Sequence, residues 1–232
     1  MTAILYSFRR CPYAMRGRMA LAVSGLDYEH REIILRDKPA SMLAFSPKGT
    51  VPVFVTAQGD VIEESIDLVH YALGQNDPEG WLEGRDAASA QIMSDNDGPF
   101  KHHLDRYKYA SRYSDDAKRG DIDLTHREAA EKYIAKLEAR LTDSPFLAGD
   151  TRGLADMTIF PFIRQFANTD REWWDGSQNE TSGTKNPPYP ATHKWLEGHL
   201  ASDLFKSIMT KLPLWVDDMS DVSTYVSDLS LG

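Results

Sequence analysis

The sequence predicts two domains: an α/β domain in βαβ then ββα order, followed by an all-helical domain. Three observations predict this. Short β-prone runs alternate with helix-like stretches over residues 3–75; residues 74–84, which include Asn76-Asp77-Pro78-Glu79-Gly80, are rich in turn formers; beyond them the β signal nearly vanishes. A chain of 232 residues can give each domain a core of its own. The boundaries are set at 1–75 for the α/β domain, 76–84 for the linker and 85–232 for the helical domain.

In chain order, residues 3–8 form an apolar, β-prone run. Residues 13–23 carry Met15, Met19, Ala22 and Val23 at helical spacing, and Gly25 stops the helix. A second strand over 28–35 completes a βαβ unit, which implies parallel strands and a right-handed crossover. Residues 38–45 read as a short helix ending before Ser46-Pro47-Lys48-Gly49. Val51-Pro52-Val53-Phe54-Val55 is a strand that starts around its proline, and the turn Gln58-Gly59-Asp60 leads to a short strand near Val61 and Ile62. Glu63-Glu64-Ser65 opens the next helix, with Ser65 as N-cap and Ile66, Val69, His70 and Leu73 along one face.

In the second domain, residues 87–113 are helix-like, with a kink or break expected at Asp97-Gly98-Pro99. Thr125-His126-Arg127-Glu128 matches a capping box ahead of Ala130, Tyr133, Ile134, Leu137 and Leu141. Residues 154–166 are almost wholly apolar and predict the central buried helix. Residues 173–190 predict a loop, 192–209 an amphipathic helix, and the Ser- and Asp-rich segment after Asp217 a poorly ordered or surface-draped tail.

Composition excludes several classes of function. A net charge of −9, with no clustered basic face, argues against nucleic acid as a partner. No apolar run approaches the ~20 residues that span a bilayer. Arg9, Arg10, Arg16 and Arg18 interrupt the stretch a secretory signal would need, so the cytoplasm is expected. In that setting the sequon Asn179-Glu180-Thr181 is a chance match. One cysteine forms no intrachain disulfide.

That cysteine, Cys11, stands in Arg9-Arg10-Cys11-Pro12-Tyr13-Ala14, between a strand and a helix. At a helix N-terminus, unpaired N–H donors and the positive dipole end favour S⁻ over SH, and neighbouring arginines add to this. Pro12 suits the first helical turn. A thiolate in an electropositive spot of an acidic protein points to a small anionic ligand.

The thioredoxin-like βαβ-ββα order, Cys11-Pro12 at the first helix, Val51-Pro52 at a strand start and Glu64-Ser65 at the next helix together resemble the glutathione transferase superfamily. The likeness covers almost the whole chain and is to the cysteine-containing branch: omega-like, lambda-like and related bacterial transferases, and the two-domain glutaredoxin of the same fold. It implies that Pro52 is cis and that the backbone of Val51 pairs with the cysteinyl part of glutathione. It further implies that Glu64 and Ser65 hold the γ-glutamyl end, that Lys38 reaches the glycyl carboxylate and that Tyr13 lies beside the thiol. Residues 149–156, Gly-Asp-Thr-Arg-Gly-Leu-Ala-Asp, resemble the family's signature at its central helix, with Gly153 in the cap position and Asp156 as a folding residue. Phe8, Phe100, His103, Tyr107 and Trp215 are assigned to an electrophile pocket, Trp195 to the core, and Arg16 to a tie with the second domain. His102 and His103 are adjacent and predicted to diverge, so no metal is expected.

The resulting expectation is a glutathione-dependent thiol transferase or reductase, akin to dehydroascorbate reductases, working through a Cys11–glutathione mixed disulfide on a small disulfide or electrophile. With Ala14 where a dithiol enzyme has its second cysteine, only the monothiol route is open. The rivals are conjugation of glutathione to apolar electrophiles, with Tyr6, Ser7 or backbone donors stabilising its thiolate, and a non-enzymatic binding or regulatory protein. A homodimer is the family's common state.

Overall fold

The computed structural model describes residues 2–83, 87–178, 185–217 and 224–225. Strand β1 (Ala3–Ser7), helix α1 (Pro12–Ser24) and strand β2 (Tyr28–Glu32) form the βαβ unit. Helix α2 (Ala40–Phe45), strands β3 (Val53–Val55) and β4 (Val61–Ile62), and helix α3 (Ser65–Gln75) follow. Gly25 closes α1 at φ 69°, its N–H bonded to Leu21 O. Ser65 is the first residue of α3 and not its N-cap. That position belongs to Glu64, in extended conformation.

After the turn at Asp77–Gly80, whose Asp77 carboxylate accepts the N–H of Trp81 and Leu82, the helical segment begins with α4 (Ala87–Asp95). The break expected at Pro99 is a widened turn instead: Asn96–Phe100 is π-helical and runs directly into α5 (Lys101–Lys108). Because proline offers no N–H, a wider loop that reaches from Lys101 N–H back to Asn96 O keeps the helix continuous. Helix α6 (Leu124–Asp143) is capped by Asp123, which accepts from His126 N–H; the capping box expected at Thr125 does not form. A carboxylate at the positive dipole end does that work better than a hydroxyl.

Helix α7 (Leu154–Ala167) is buried along nearly its whole length. The loop expected at 173–190 includes a short helix, α8 (Arg171–Asp175), and a small ladder of β5 (Ser177–Gln178) with β6 (Lys185–Asn186). The sequon lies outside the described residues. The helix expected over 192–209 is two helices, α9 (Pro190–Ala201) and α10 (Asp203–Ile208), split at Ser202. Ser202 adopts an extended conformation and caps α10. Strand β7 (Thr224–Tyr225) adds to the sheet; the rest of the tail after Asp217 lies outside the described residues.

The sheet order is β4-β3-β1-β2-β7, with β1 and β2 parallel and the other pairs antiparallel. The chain divides into two units, Met1–Leu82 with Ser202–Gly232, and Glu83–Ala201. Residues from 202, which the 85–232 boundary places with the helices, group with the α/β unit because α10 packs on α1 and β7 pairs with β2. Among the described residues, no helix is long and apolar enough to cross a membrane.

The helical unit is organised around a buried carboxylate. Asp156 is fully buried and accepts from Leu147 N (2.7 Å), Ala148 N (3.2 Å), Gly153 N (3.1 Å) and Trp195 Nε1 (2.8 Å). Burial pushes its carboxyl above the usual range, against the pull of those donors. Gly153 is required sterically as the cap, since a Cβ there would lie 2.7 Å from Ala148 Cβ. Asp156→Ala would leave several buried donors unsatisfied and is expected to cost about 3 kcal/mol or more, read by urea denaturation.

His199 stacks on Phe160 (5.0 Å between ring centroids) and meets Trp195 edge-on (4.9 Å). Burial first, then the Arg152 charge, lowers its pKa to about 3. The folded state therefore holds His199 neutral, while the unfolded chain protonates it below about pH 6.5. Stability is expected to fall on acidification between about pH 6.5 and 3, by up to about 1.4 kcal/mol per pH unit from this group. His199→Phe should flatten that slope in denaturation series run at stepped pH.

Candidate active site

The chain leaves β1 at Ser7, turns through Phe8–Arg10 and enters α1 at Cys11. Cys11 is the N-cap (φ −73°, ψ 123°), with Pro12 in the first turn and Cys11 N–H bonded to Phe8 O at 2.9 Å. Its side chain is half-buried and makes no cap bond. The sulfur lies 3.7 Å from the carbonyl oxygen of Val51, to which the thiol can donate, and the Val51–Pro52 peptide bond is cis. Strand-to-helix turn and proline turn thus meet at the sulfur.

Beneath this loop is a buried ionic group. Arg18, 1% exposed, donates to Ser7 Oγ (2.6 Å), Phe8 O (3.3 Å) and Arg9 O (2.7 Å). Glu32 accepts Arg9 N–H at 2.7 Å and meets His30 Nε2 at 3.2 Å. Together they grip the loop through two of its carbonyls and an amide. Burial lowers the Arg18 pKa, while Glu32, Tyr28 and Cys11 act to keep it charged. That interaction is mutual, so a cation held there favours charge on the Cys11 sulfur. Burial also lowers the pKa of His30.

Tyr6 and Ser7 are fully buried. Tyr6 hydroxyl donates to Ser41 Oγ (3.0 Å) and accepts from Arg31 (2.6 Å), and Ser7 Oγ accepts from Arg18. Neither hydroxyl is presented at the surface to activate a ligand. Phe8, Cys11 and Trp215 pack against one apolar cluster containing Ala14, Met42, Val51 and Val53. Trp215 is held by its N–H on Glu32 O (2.7 Å) and by Arg31, 4.0 Å above its ring. Asp217 accepts from Trp215 Nε1 (3.2 Å), Ser41 N (3.1 Å) and Ser41 Oγ, pinning this segment to the start of α2. The hydrogen bond to Ser41 Oγ is the first cause holding the Asp217 carboxyl below its ordinary range.

Of the other sequence candidates, Tyr13 is half-buried in the first turn of α1, with the Arg16 guanidinium 5.5 Å from its ring centroid. Lys38 places its ammonium over Gly49. Glu64 pairs with Lys48, whose pKa this bond raises. Ser65 is buried and accepts from Arg16 at 3.4 Å.

The electrophile-pocket candidates divide. Phe8 and Trp215 share the cluster with the thiol, but Phe100 and Tyr107 belong to the interior of the helical unit. Phe100 stacks on Tyr133 at 4.6 Å and Tyr107 packs on Phe166 at 5.2 Å. With at most 1% exposure, neither faces open space. His103 is hydrogen-bonded to His126 through the two Nδ1 atoms (2.8 Å), and burial is the first cause lowering its pKa. His102 and His103, expected to diverge, have ring centroids 5.1 Å apart, and both pack on His126. Among the described residues, no group of three His, Cys, Asp or Glu could hold a metal ion.

A four-stranded mixed sheet extended by β7, with a cysteine at the first helix N-cap facing a cis-proline turn, and a separate, predominantly helical unit, define a thioredoxin-like fold joined to a helical transferase domain. Residues 5–81 match the family model of the glutathione S-transferase N-terminal domain, and residues 80–198 that of the C-terminal domain. The chain belongs to the glutathione transferase superfamily. Glutathione S-transferase omega-1 of Mus musculus is 28% identical over 170 residues, covering 69% of this chain and 65% of its own. Glutathione S-transferase U19 of Arabidopsis thaliana is 27% identical over 175 residues, covering 71% and 76%. The chain thus spans about two thirds of the omega-1 relative. The crystal structure of a glutathione S-transferase from Rhodospirillum rubrum F11 shares the fold at TM-score 0.66 and 23% identity, over 91% of this chain and 94% of that one.

Sequence reasoning missed the roles of Arg18, Glu32 and Asp217. The one available signal was Arg18 itself, a charge among Met15, Met19 and Leu21 in a helix with little polar face. Arg18→Met is expected to destabilise the fold by about 2–4 kcal/mol, because buried acceptors lose their donor. It should also slow alkylation of Cys11 near neutral pH about tenfold, as ~1.4 kcal/mol of lost charge stabilisation would give. Timed iodoacetamide labelling read by intact mass checks the rate, and Arg18→Lys, which keeps charge without the fork, should recover part of it.

Proposed function

We propose that the protein is a glutathione-dependent thiol transferase acting through Cys11. The observation that carries this reading is the sulfur's position: at an N-cap, over a buried arginine and 3.7 Å from the Val51 carbonyl, while both rival hydroxyls are buried and bonded elsewhere. The likeness to omega-1 relatives supports it.

In this reading the Cys11 thiolate attacks the glutathione sulfur of a mixed disulfide. The old S–S bond breaks, the leaving thiolate takes a proton from water, and Cys11 carries glutathione. The thiolate of a second glutathione attacks the glutathione sulfur of that adduct, oxidised glutathione leaves, and Cys11 returns as thiolate. No resolving cysteine exists, so turnover requires free glutathione.

The main chain of Val51, before Pro52, pairs with the cysteinyl unit as an added strand would, which brings the ligand's sulfur to Cys11. Lys38 takes the glycyl carboxylate. Ser65 and the first turn of α3 receive the γ-glutamyl carboxylate, and Glu64 exchanges Lys48 for the ligand's ammonium. Tyr13, Phe8 and Trp215 flank the thiol. We place the protein in the cytoplasm as a homodimer; light scattering on the purified protein tests the assembly.

Brief incubation with oxidised glutathione, followed by reduced glutathione, is expected to give one adduct by intact mass and then remove it. Cys11→Ser should give none and should lose disulfide reduction by at least a hundredfold. Failure of native Cys11 to react, with labelling only after denaturation, overturns the reading. Undiminished conjugation of an apolar electrophile by Cys11→Ser would favour a conjugating transferase, and lack of retention on a glutathione column a non-enzymatic binding protein.

A further inference from the structure

The loop that carries the thiol is a tight turn. Cys11 N–H donates to Phe8 O at 2.9 Å, which makes Arg9 and Arg10 the two central residues of a four-residue turn. Its main chain is held at Phe8 O and Arg9 O by Arg18, and at Arg9 N–H by Glu32. The Cα of Arg10 is therefore delivered to a fixed place, about 3.8 Å from the Cα of Cys11.

From there the Arg10 side chain is exposed and lies over Phe8, its guanidinium carbon 5.4 Å from the ring centroid. Phe8 and Cys11 pack on the same apolar cluster. Contact with a ring engages the guanidinium through its charge and leaves its N–H groups for other partners. Among the described residues, no carboxylate pairs with Arg10 and no acceptor takes its side-chain N–H groups. Other cations of the α/β unit are committed: Arg18 to the loop, Arg31 to Glu29 and Tyr6, Lys48 to Glu64. Arg10 is not.

An unpaired guanidinium beside a nucleophile, in a protein of net charge −9, draws anions to one place. In the proposed binding mode the charges of glutathione are met elsewhere: Lys38 takes the glycyl carboxylate, Ser65 and the first turn of α3 the γ-glutamyl carboxylate, and Glu64 the ammonium. That leaves Arg10 for the other half of a mixed disulfide, the thiol that departs.

We infer that Arg10 is a specificity-determining residue for that departing half, and that the preferred substrates are mixed disulfides of glutathione with a small thiol carrying a carboxylate. This rests on the thiol-transferase reading and gives it a substrate class. In the step itself the Cys11 thiolate attacks the glutathione sulfur and the S–S bond breaks. The carboxylate-bearing thiolate leaves and takes a proton from water, while Arg10 meets its carboxylate through the guanidinium N–H groups. A neutral thiol leaves that contact unmade, and a thiol carrying an ammonium group meets repulsion. Because the ion pair forms at an exposed site, its effect is severalfold and salt weakens it.

The test is the rate at which three mixed disulfides of glutathione, with 3-mercaptopropionate, 2-mercaptoethanol and cysteamine, place glutathione on Cys11 of the full chain, followed by acid quench and intact mass. The three thiols differ as leaving groups, so the readout is the factor by which each second-order rate constant changes on substitution, not their raw order. Arg10→Gln is expected to slow the anionic disulfide about fivefold relative to the neutral one, and to speed the cationic one relative to it. Arg10→Glu should widen both differences, and Arg10→Lys, which keeps the charge, should recover part of the wild-type preference. In the wild type, raising ionic strength from about 20 to 500 mM should slow the anionic disulfide relative to the neutral one. Equal factors for all three disulfides overturn the inference, because Arg10 would then act on the Cys11 thiol alone, and so does the absence of any change. Unchanged ratios with a greater need for reduced glutathione to clear the adduct would place Arg10 on glutathione itself, which also overturns it. If wild-type Cys11 takes no glutathione from the neutral disulfide, the thiol-transferase reading falls and this role falls with it. If it reacts with all three and Arg10→Gln leaves their ratios alone, only the role of Arg10 falls.

Discussion

An arginine inside a protein is costly unless its guanidinium finds acceptors and counter-charge. Arg18 directs its two terminal nitrogens at acceptors of one short stretch of chain, the hydroxyl at the end of β1 and two carbonyls of the following loop, while its Nε is buried without a hydrogen-bond partner. Glu32 supplies opposite charge from β2 and takes a loop N–H as well. Burial therefore forces the loop into one shape, and that shape delivers Cys11 to the helix N-cap. Side chains as small as serine and backbone atoms do the rest. The same strand holds the C-terminal segment, because Glu32 O accepts Trp215 N–H. Strand β1, helix α1, strand β2 and the returning chain are all tied to this one ionic group.

The helical unit uses a similar logic around an acidic side chain. Asp156 lies in the interior and accepts from three backbone donors and one indole. It closes the loop ahead of α7 and fixes Trp195. In both units a buried ionisable side chain organises backbone that has no regular hydrogen-bond ladder of its own. The core around each such side chain is apolar and well packed, with Leu5, Val53, Ile134 and Phe160 fully buried. Apolar burial supplies most of the driving force, but it is non-directional. The ionisable groups supply direction.

Much of the α/β unit was legible along the chain. Apolar runs between turn formers set β1 and β3, and Gly25 marked a helix end, because these signals act within a few residues. The helical region was legible in content and less so in punctuation. Ser202 splits what its periodicity presents as one helix, Pro99 is absorbed by a widened turn, and Asp123 caps α6 ahead of the better-looking Thr125. In each case two local solutions were available, and packing of the flanking segments selected one.

The sequence by itself determined that one cysteine stands between a strand and a helix, that no second cysteine can resolve its disulfide, and that a β-rich half precedes a helical half. These follow from composition and from the periods of strand and helix. Tertiary structure decided which hydroxyls are taken up inside, which aromatics face the thiol and which are core, and that residues from Ser202 onward return to the first unit. Phe8 and Trp215 share the cysteine's cluster while Phe100 and Tyr107 are interior, though all four are aromatic residues in apolar surroundings. Periodicity gives the face of an element a side chain lies on; what that face meets depends on contacts between residues far apart in the chain, and those exist only once the chain has folded.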